Sequence, residues 1–426
     1  MIGSEYVSNQ IMFQWIAAFL FLLAILHTFM AFYVERLAHR WPEHGGVFHL
    51  LGEVEAVFGS WALIMLVTMC IVLGGKEALG YLDGCNFTEP MFVFAIMVIA
   101  GSKPILNFAA SITRLLAKLL PLPGSVSFYV VSLSFIPLLG SFITEPAAMT
   151  LAALLLRDMF FCKGISTRLK YATVGVLFVN VSIGGVLTPF AAPPVLMVAG
   201  KWGWDITFMI TTFGWRAILA VLTNAIIVTL IFQKELRVLK ISTEQEDKQE
   251  IPLFVTIAHL LFLVGVVVFV HHPAVFMGLM LFFLGFATAY KRYQDRLILR
   301  EGLMVAFFLA GLVTLGGQQQ WWLQEVLMSM NTASVYFGAT ALTAVTDNAA
   351  LTYLGSLVEG LTDEFKYALV SGAVSGGGLT VIANAPNPAG FSILKGNFAN
   401  EAILAPWLFL SALGPTLVTV VAFYFL

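Results

Sequence analysis

Thr144-Glu145-Pro146-Ala147-Ala148-Met149-Thr150 and Thr346-Asp347-Asn348-Ala349-Ala350-Leu351-Thr352 are two versions of one phrase in a 426-residue chain. Each sets an acid behind a threonine, then a residue that interrupts a helix, then small and apolar residues closing on threonine. A second pair of phrases follows in the same order. Gly184-Gly185-Val186-Leu187-Thr188 resembles Gly377-Gly378-Leu379-Thr380. A proline cluster comes after each: Pro189, Pro193 and Pro194 in the first half, Pro386 and Pro388 in the second. Two ordered matches at similar spacings indicate an internal duplication.

The sequence around these phrases is apolar. The chain is 59% hydrophobic and 11% charged, with a mean hydropathy of +0.91. A soluble domain carries about 25% charged residues. Apolar runs near 20 residues recur, the length that crosses a hydrocarbon core roughly 30 Å thick. The chain is therefore expected to live in a membrane. Its net charge of −2 names no partner, and no basic block suggests nucleic acid. The first ten residues lack a basic n-region and a small-residue cleavage site, so the first apolar run is expected to stay as a helix. Cys70, Cys85 and Cys162 have neither metal nor redox spacing and read as small apolar fillers.

The apolar segments lie at 11–33, 50–73, 91–120, 125–158, 171–200, 206–233, 252–270, 274–290, 301–330, 331–358, 366–395 and 400–426. Gly101-Ser102-Lys103-Pro104 interrupts the third, and Gly316-Gly317-Gln318-Gln319-Gln320 the ninth. Each of these two reads as a re-entrant hairpin, because irregular backbone at membrane depth survives only when buried in protein or facing water. Lys and Arg gather at 34–47, 157–170, 234–250 and 291–300, while 75–89, 201–205, 271–273 and 359–366 are poor in them. The positive-inside rule makes the first group cytoplasmic. The expected fold is an all-α polytopic membrane protein of ten transmembrane helices plus two re-entrant hairpins, with both termini outside. It forms two inverted-topology repeats with broken helices. The first repeat spans 1–235, a polar cytoplasmic linker 236–251, and the second repeat 252–426. Arg114 and Lys118 fall on the outer side in this arrangement, against the rule.

The chemistry gathers at the breaks. Pro146 removes a helix hydrogen bond and pushes Glu145 out of helical geometry. Asp347 holds the equivalent place, with Asn348 where the proline was. A break frees carbonyls on one half-helix and amides on the other. Carbonyls, the hydroxyls of Thr144, Thr346, Thr188 and Thr380, and a carboxylate make a set of hard oxygen ligands that suits Na⁺. Glu145 and Asp347 are the expected metal (Na⁺) and proton ligands. An ionisable group near the bilayer centre costs about 2.5–3.5 kcal/mol on insertion scales, so such residues mark function or a buried ion pair. Lys103 is a candidate charge partner for one of these acids. Asn384, between Ala383 and Ala385, could coordinate a cation, bond a carboxylate or satisfy freed backbone. Glu53 and Glu55 read equally as a solvated vestibule or a proton path. His27 and His259 read as hydrogen-bonded core histidines. No cofactor is expected.

The Asp-Asn break resembles that of the ion-transporter superfamily, which includes bacterial sodium/proton antiporters, arsenite efflux pumps and sodium-coupled dicarboxylate symporters. The chain is most similar to the Na⁺/H⁺ antiporter branch. The dicarboxylate branch typically carries Ser-Asn-Thr at both breaks. Thr144-Glu145-Pro146 and Thr346-Asp347-Asn348 depart from that, and two acids would repel an anionic substrate. The resemblance implies a multi-pass protein of the bacterial inner membrane, with Na⁺ and H⁺ as its partners. It would exchange Na⁺, or Li⁺, for H⁺ by alternating access. A sodium- or proton-coupled symporter of a small anion is the alternative. An enzyme is disfavoured, since neither a His-Glu-x-x-His helix nor a Gly-x-Ser-x-Gly elbow is present. The 37 phenylalanines supply apolar faces suited to lipid and to a homodimer.

Overall fold

Proline and glycine interruptions divide the apolar sequence into helices. A computed structural model describes residues 2–239 and 250–426, and every regular element among them is helical. The linker expected at 236–251 lies mostly outside the described residues. In chain order the helices are α1 (Ile2–Arg40), α2 (Gly45–Leu51), α3 (Val54–Val72), α4 (Gly75–Gly84), α5 (Thr88–Ala100), α6 (Lys103–Leu119), α7 (Gly124–Ile143) and α8 (Glu145–Met159). Then come α9 (Thr167–Gly184), α10 (Pro193–Trp202), α11 (Ile206–Met209), α12 (Trp215–Val238), α13 (Leu253–Val268) and α14 (Pro273–Ala289). The remainder are α15 (Leu299–Gly316), α16 (Gln320–Met328), α17 (Thr332–Thr343), α18 (Asn348–Ser356), α19 (Asp363–Gly376), α20 (Asn387–Lys395) and α21 (Ala405–Val420).

Among the described residues, seven stretches are long and apolar enough to cross a membrane. They are Val7–Ala31, Glu55–Val72, Gly124–Ile143, Thr167–Leu187, Ile206–Val238, Leu299–Met328 and Ala405–Phe425. Helices α4 and α5 pass the same test together, bent by 55° at their junction. Helices α13 and α14 are apolar but shorter. The chain is therefore a multi-pass membrane protein.

The second expected hairpin does not fall at its Gly-rich interruption. Leu299–Met328 runs through Gly316–Gln320 as one candidate span of 30 residues. Gly317–Gln319 only tightens it into a 3-10 turn. Glycine serves packing there, since a Cβ on Gly317 would meet the Tyr81 hydroxyl at 2.6 Å. In 91–120 the chain does break at Gly101-Ser102, but α6 is one-sided. It buries Pro104, Ile105, Ala109, Ala110, Thr113 and Ala117, while Ser111 and Lys118 are exposed and Arg114 is half-buried. Its outward face is mixed, since Phe108, Leu115 and Leu119 are exposed beside those polar residues.

The chain folds back at Thr144 instead. A Cβ on Gly140 would lie 3.2 Å from the Cβ of Ala148, two turns further on. A continuous helix would hold such residues about 12 Å apart. Helices α7 and α8 therefore pack on each other as the arms of a hairpin, where the sequence suggested one long interrupted span.

Compactness divides the chain into two units. The first comprises Met1–Phe94, Leu299–Met330 and Tyr353–Leu361. Its centre is the crossing of α3 and α15. A Cβ on Gly311 would come within 2.3 Å of the Gly59 nitrogen, so the two helices meet backbone to backbone. Small residues permit this approach, and the dispersion gained replaces the hydrophobic drive that lipid does not supply.

The second unit comprises Ala95–Ile298, Asn331–Thr352 and Thr362–Leu426. Its axis is α9, buried without a gap from Thr173 to Gly184. An amide chain runs through it. Asn224 Nδ2 donates to Asn180 Oδ1 at 2.9 Å and to the Pro415 carbonyl at 3.3 Å. Asn180 Nδ2 donates to the carbonyls of Leu133 (2.7 Å) and Val221 (3.1 Å). Helices α7, α9, α12 and α21 are thus tied at one level. Each bond satisfies a polar group that would otherwise cost about 1–3 kcal/mol to bury.

Candidate functional site

Pro146 stands in the first turn of α8, where its missing N–H costs nothing. The residue before the helix, Thr144, has φ of +74° and ψ of 150°. That region is essentially reserved for glycine and costs a β-branched residue on the order of 1–3 kcal/mol. The strained turn delivers Glu145 into the interior, where it is 0% exposed. Its Oε2 accepts a hydrogen bond from Asn384 Nδ2 at 2.9 Å. Its Oε1 has no protein partner. Gly185 makes the room, since a Cβ there would lie 2.4 Å from Oε1.

The second break is built differently. Asp347 is half-buried and lies just before α18. Its Oδ1 accepts from the backbone N–H of Ala349 (2.8 Å) and Ala350 (3.2 Å), an N-cap in form. The two breaks meet across Ala383-Asn384. Glu145 holds the Asn384 side chain, and the backbone N–H of Asn348 donates to the Ala383 carbonyl at 3.1 Å.

Buried polar atoms without a partner gather along this stretch of chain. They are Thr144 Oγ1, Glu145 Oε1, Thr343 Oγ1, both side-chain atoms of Asn348, Asn384 Oδ1 and Asn387 Oδ1. A buried orphan of this kind costs about 1–3 kcal/mol. So many along the two breaks and the unwound segment beside them set this region apart as the candidate site. The oxygens are hard donors: one carboxylate, amides and hydroxyls. They suit an alkali cation better than a soft metal. Among the described residues, no group of three or more His, Cys, Asp and Glu side chains is placed to hold a metal ion.

The remaining expected residues are placed as follows. Thr188 and Thr380 play matching parts. Thr188 Oγ1 donates to the Ser141 carbonyl at 2.6 Å, and Thr380 Oγ1 to the Ala344 carbonyl at 2.8 Å. Each ties the second break of its half to the last turn before the first. Thr346 Oγ1 donates back to the Leu342 carbonyl at 2.8 Å. Lys103 pairs with a different acid. Its Nζ donates to Asp295 Oδ1 at 2.8 Å, in a pair whose acid is 72% exposed. Such a pair contributes about 0–1 kcal/mol. Glu53 pairs with Arg300. His27 takes the Trp61 indole N–H and bonds the Leu51 carbonyl, and His259 bonds the Val255 carbonyl.

Three further side chains brace the breaks, the two serines among them without a distinct sequence signal. Ser141 Oγ donates to the Gly184 carbonyl and accepts from the Leu187 N–H. Ser182 Oγ donates to the Val374 carbonyl, joining α9 to α19. Asn387 Nδ2 staples the unwound segment through the carbonyls of Gly377 (2.7 Å) and Thr380 (2.8 Å). A serine in an apolar run points to helix back-bonding as readily as to a break.

A buried acid at a strained turn is thus held by the asparagine amide of an unwound segment. A family model described as "Putative Na+/H+ antiporter" matches residues 12–426. No curated protein matches the chain. The chain belongs to this family of Na⁺/H⁺ antiporters, which makes it a transporter.

Proposed function

We propose that the chain exchanges Na⁺, or Li⁺, for H⁺ at the cluster around Glu145 and Asn384. One observation carries the reading. Glu145 is fully buried, with one oxygen held by Asn384 and the other unpartnered. A buried carboxylate needs either a cation or a proton to offset the loss of water. The two compete for the same oxygens, and this competition couples their movements. Asp347 adds negative field beside the cluster.

The surrounding topology is proposed as ten crossings and two re-entrant hairpins, the hairpins being α7–α8 and α17–α18. The crossings are α1, α3, α4–α5, α9–α10, α11–α12, α13, α14, α15–α16, α19–α20 and α21. Residues 1–235 and 252–426 form two inverted repeats. The matched bonds of Thr188 and Thr380 support this. With the hairpins so assigned, α6 lies at the cytoplasmic surface and carries Arg114 and Lys118 there, which removes their conflict with the positive-inside rule. The ion pair of Lys103 with Asp295, in the Arg-rich loop before α15, agrees with that side. The hairpins and broken helices move as a block and open the cluster to each side in turn. The setting is the bacterial inner membrane, and the assembly a homodimer.

The test is a pH jump in everted vesicles on adding NaCl or LiCl. Wild type is expected to move protons out of the vesicle lumen. Glu145→Gln, which keeps shape but carries no charge, is expected to abolish the signal at equal protein level. A sodium-dependent uptake of a small anion without proton counterflow would replace exchange by symport.

A further inference from the structure

The two acids are bonded differently, and the difference assigns them different work. Asp347 Oδ1 already serves two backbone N–H groups at the start of α18. An acid in that position is favoured by the helix N-terminus and holds the half-helix at the break. Glu145 caps nothing. Its helix has no side-chain cap bond, and its Oε1 is unpartnered. Asn384 is what fixes it. The Asn384 amide spends its N–H on Glu145 Oε2, so its own Oδ1 is unpartnered in the same place. Thr144 Oγ1, on the adjacent residue, is a third buried orphan. All three residues are at most 2% exposed.

We infer that the cation is held by Glu145, Asn384 and Thr144, that Asn384 determines cation specificity, and that Asp347 is a positioning residue which caps α18 without ligating the ion. This deepens the exchange reading and rests on it for the identity of the cation. An amide oxygen beside a single carboxylate gives the ligands one formal negative charge. That charge matches a monovalent ion and leaves a divalent one undercompensated. The Asn384 bond to Oε2 also fixes the distance between the two ligand oxygens, so the site favours a cation of one radius.

The test is Na⁺-induced thermal stabilisation of the purified full chain, which reads binding whether or not transport occurs. Wild type is expected to be stabilised by Na⁺ and not by Mg²⁺ at equal ionic strength. Asp347→Asn keeps a cap oxygen and is expected to weaken apparent Na⁺ affinity by no more than about threefold. Asn384→Leu is expected to weaken it by about tenfold or more and to blur Na⁺ against K⁺. Should Asn384→Leu fail to fold, Gly185→Ala serves instead, because its Cβ would displace Glu145 Oε1 from outside the ligand set. A tenfold loss in Asp347→Asn would overturn the assignment. So would unchanged affinity in both Asn384→Leu and Gly185→Ala, or the absence of any Na⁺ effect on wild type. If wild type binds Na⁺ with this pattern yet moves no protons, the exchange reading fails and the ligand assignment stands.

Discussion

Thr144 holds a backbone conformation that only glycine adopts freely, and nothing in its side chain compensates, since Oγ1 is unpartnered. Relief of that strain should offset the roughly 1 kcal/mol that glycine loses in conformational entropy. Thr144→Gly is therefore expected to melt no lower than wild type in detergent, while binding Na⁺ more weakly for want of a hydroxyl. A clear drop in melting temperature would mean that the threonine is held there by contacts stronger than the strain. At this scale the site was partly legible. Glu145 announced itself because the proline after it signals a break and an acid in an apolar run is expensive. Asn384 stood out as an amide among alanines. The roles of the two acids were not legible. Sequence shows that a carboxylate stands at a break, but not which of its lone pairs the backbone consumes. That depends on whether the next helix starts at the acid or after it.

Helices are positioned by what their glycines allow. Gly311 and Gly59 bring α15 and α3 into backbone contact, and a Cβ at Gly311 would lie 2.5 Å from the Gly59 Cα. Backbone cannot yield as a flexible side chain can. Gly311→Ala is expected to destabilise by about 1–3 kcal/mol or more, seen as a lower melting temperature and less monodisperse protein. An unchanged melting profile would show that the helices can separate freely. The second hairpin was misplaced from sequence for a related reason. Gly316–Gln320 and Gly101–Pro104 look like turns, yet the first admits the Tyr81 hydroxyl and the second begins a one-sided helix. The true reversal, at Thr144, contains no glycine. Its backbone does what a glycine would do, and no propensity rule foresees a threonine there.

For the whole molecule, the alternation of charge predicts sidedness. A periplasmic phosphatase fused after Leu426 is expected to be active, and one inserted at position 245 in the polar linker inactive. Active fusions at both would break the inverted arrangement. That the chain crosses the membrane several times was legible in the sequence, because hydropathy is summed over many residues. The placement of the reversals was not, because each hangs on one local geometry.

The amide chain of Asn180 and Asn224 bears on how such a protein can move. Hydrocarbon offers these side chains no substitute partners, so parting any two of the four helices they join would strand a dipole in oil. Those helices must travel together, like staves bound by one hoop. Pairs of spin labels on α9 and α21 should keep their separation through the whole working stroke, whatever happens at the tip of the α7–α8 turn. Any motion of the hairpins and broken helices must then carry α12 and α21 along with it.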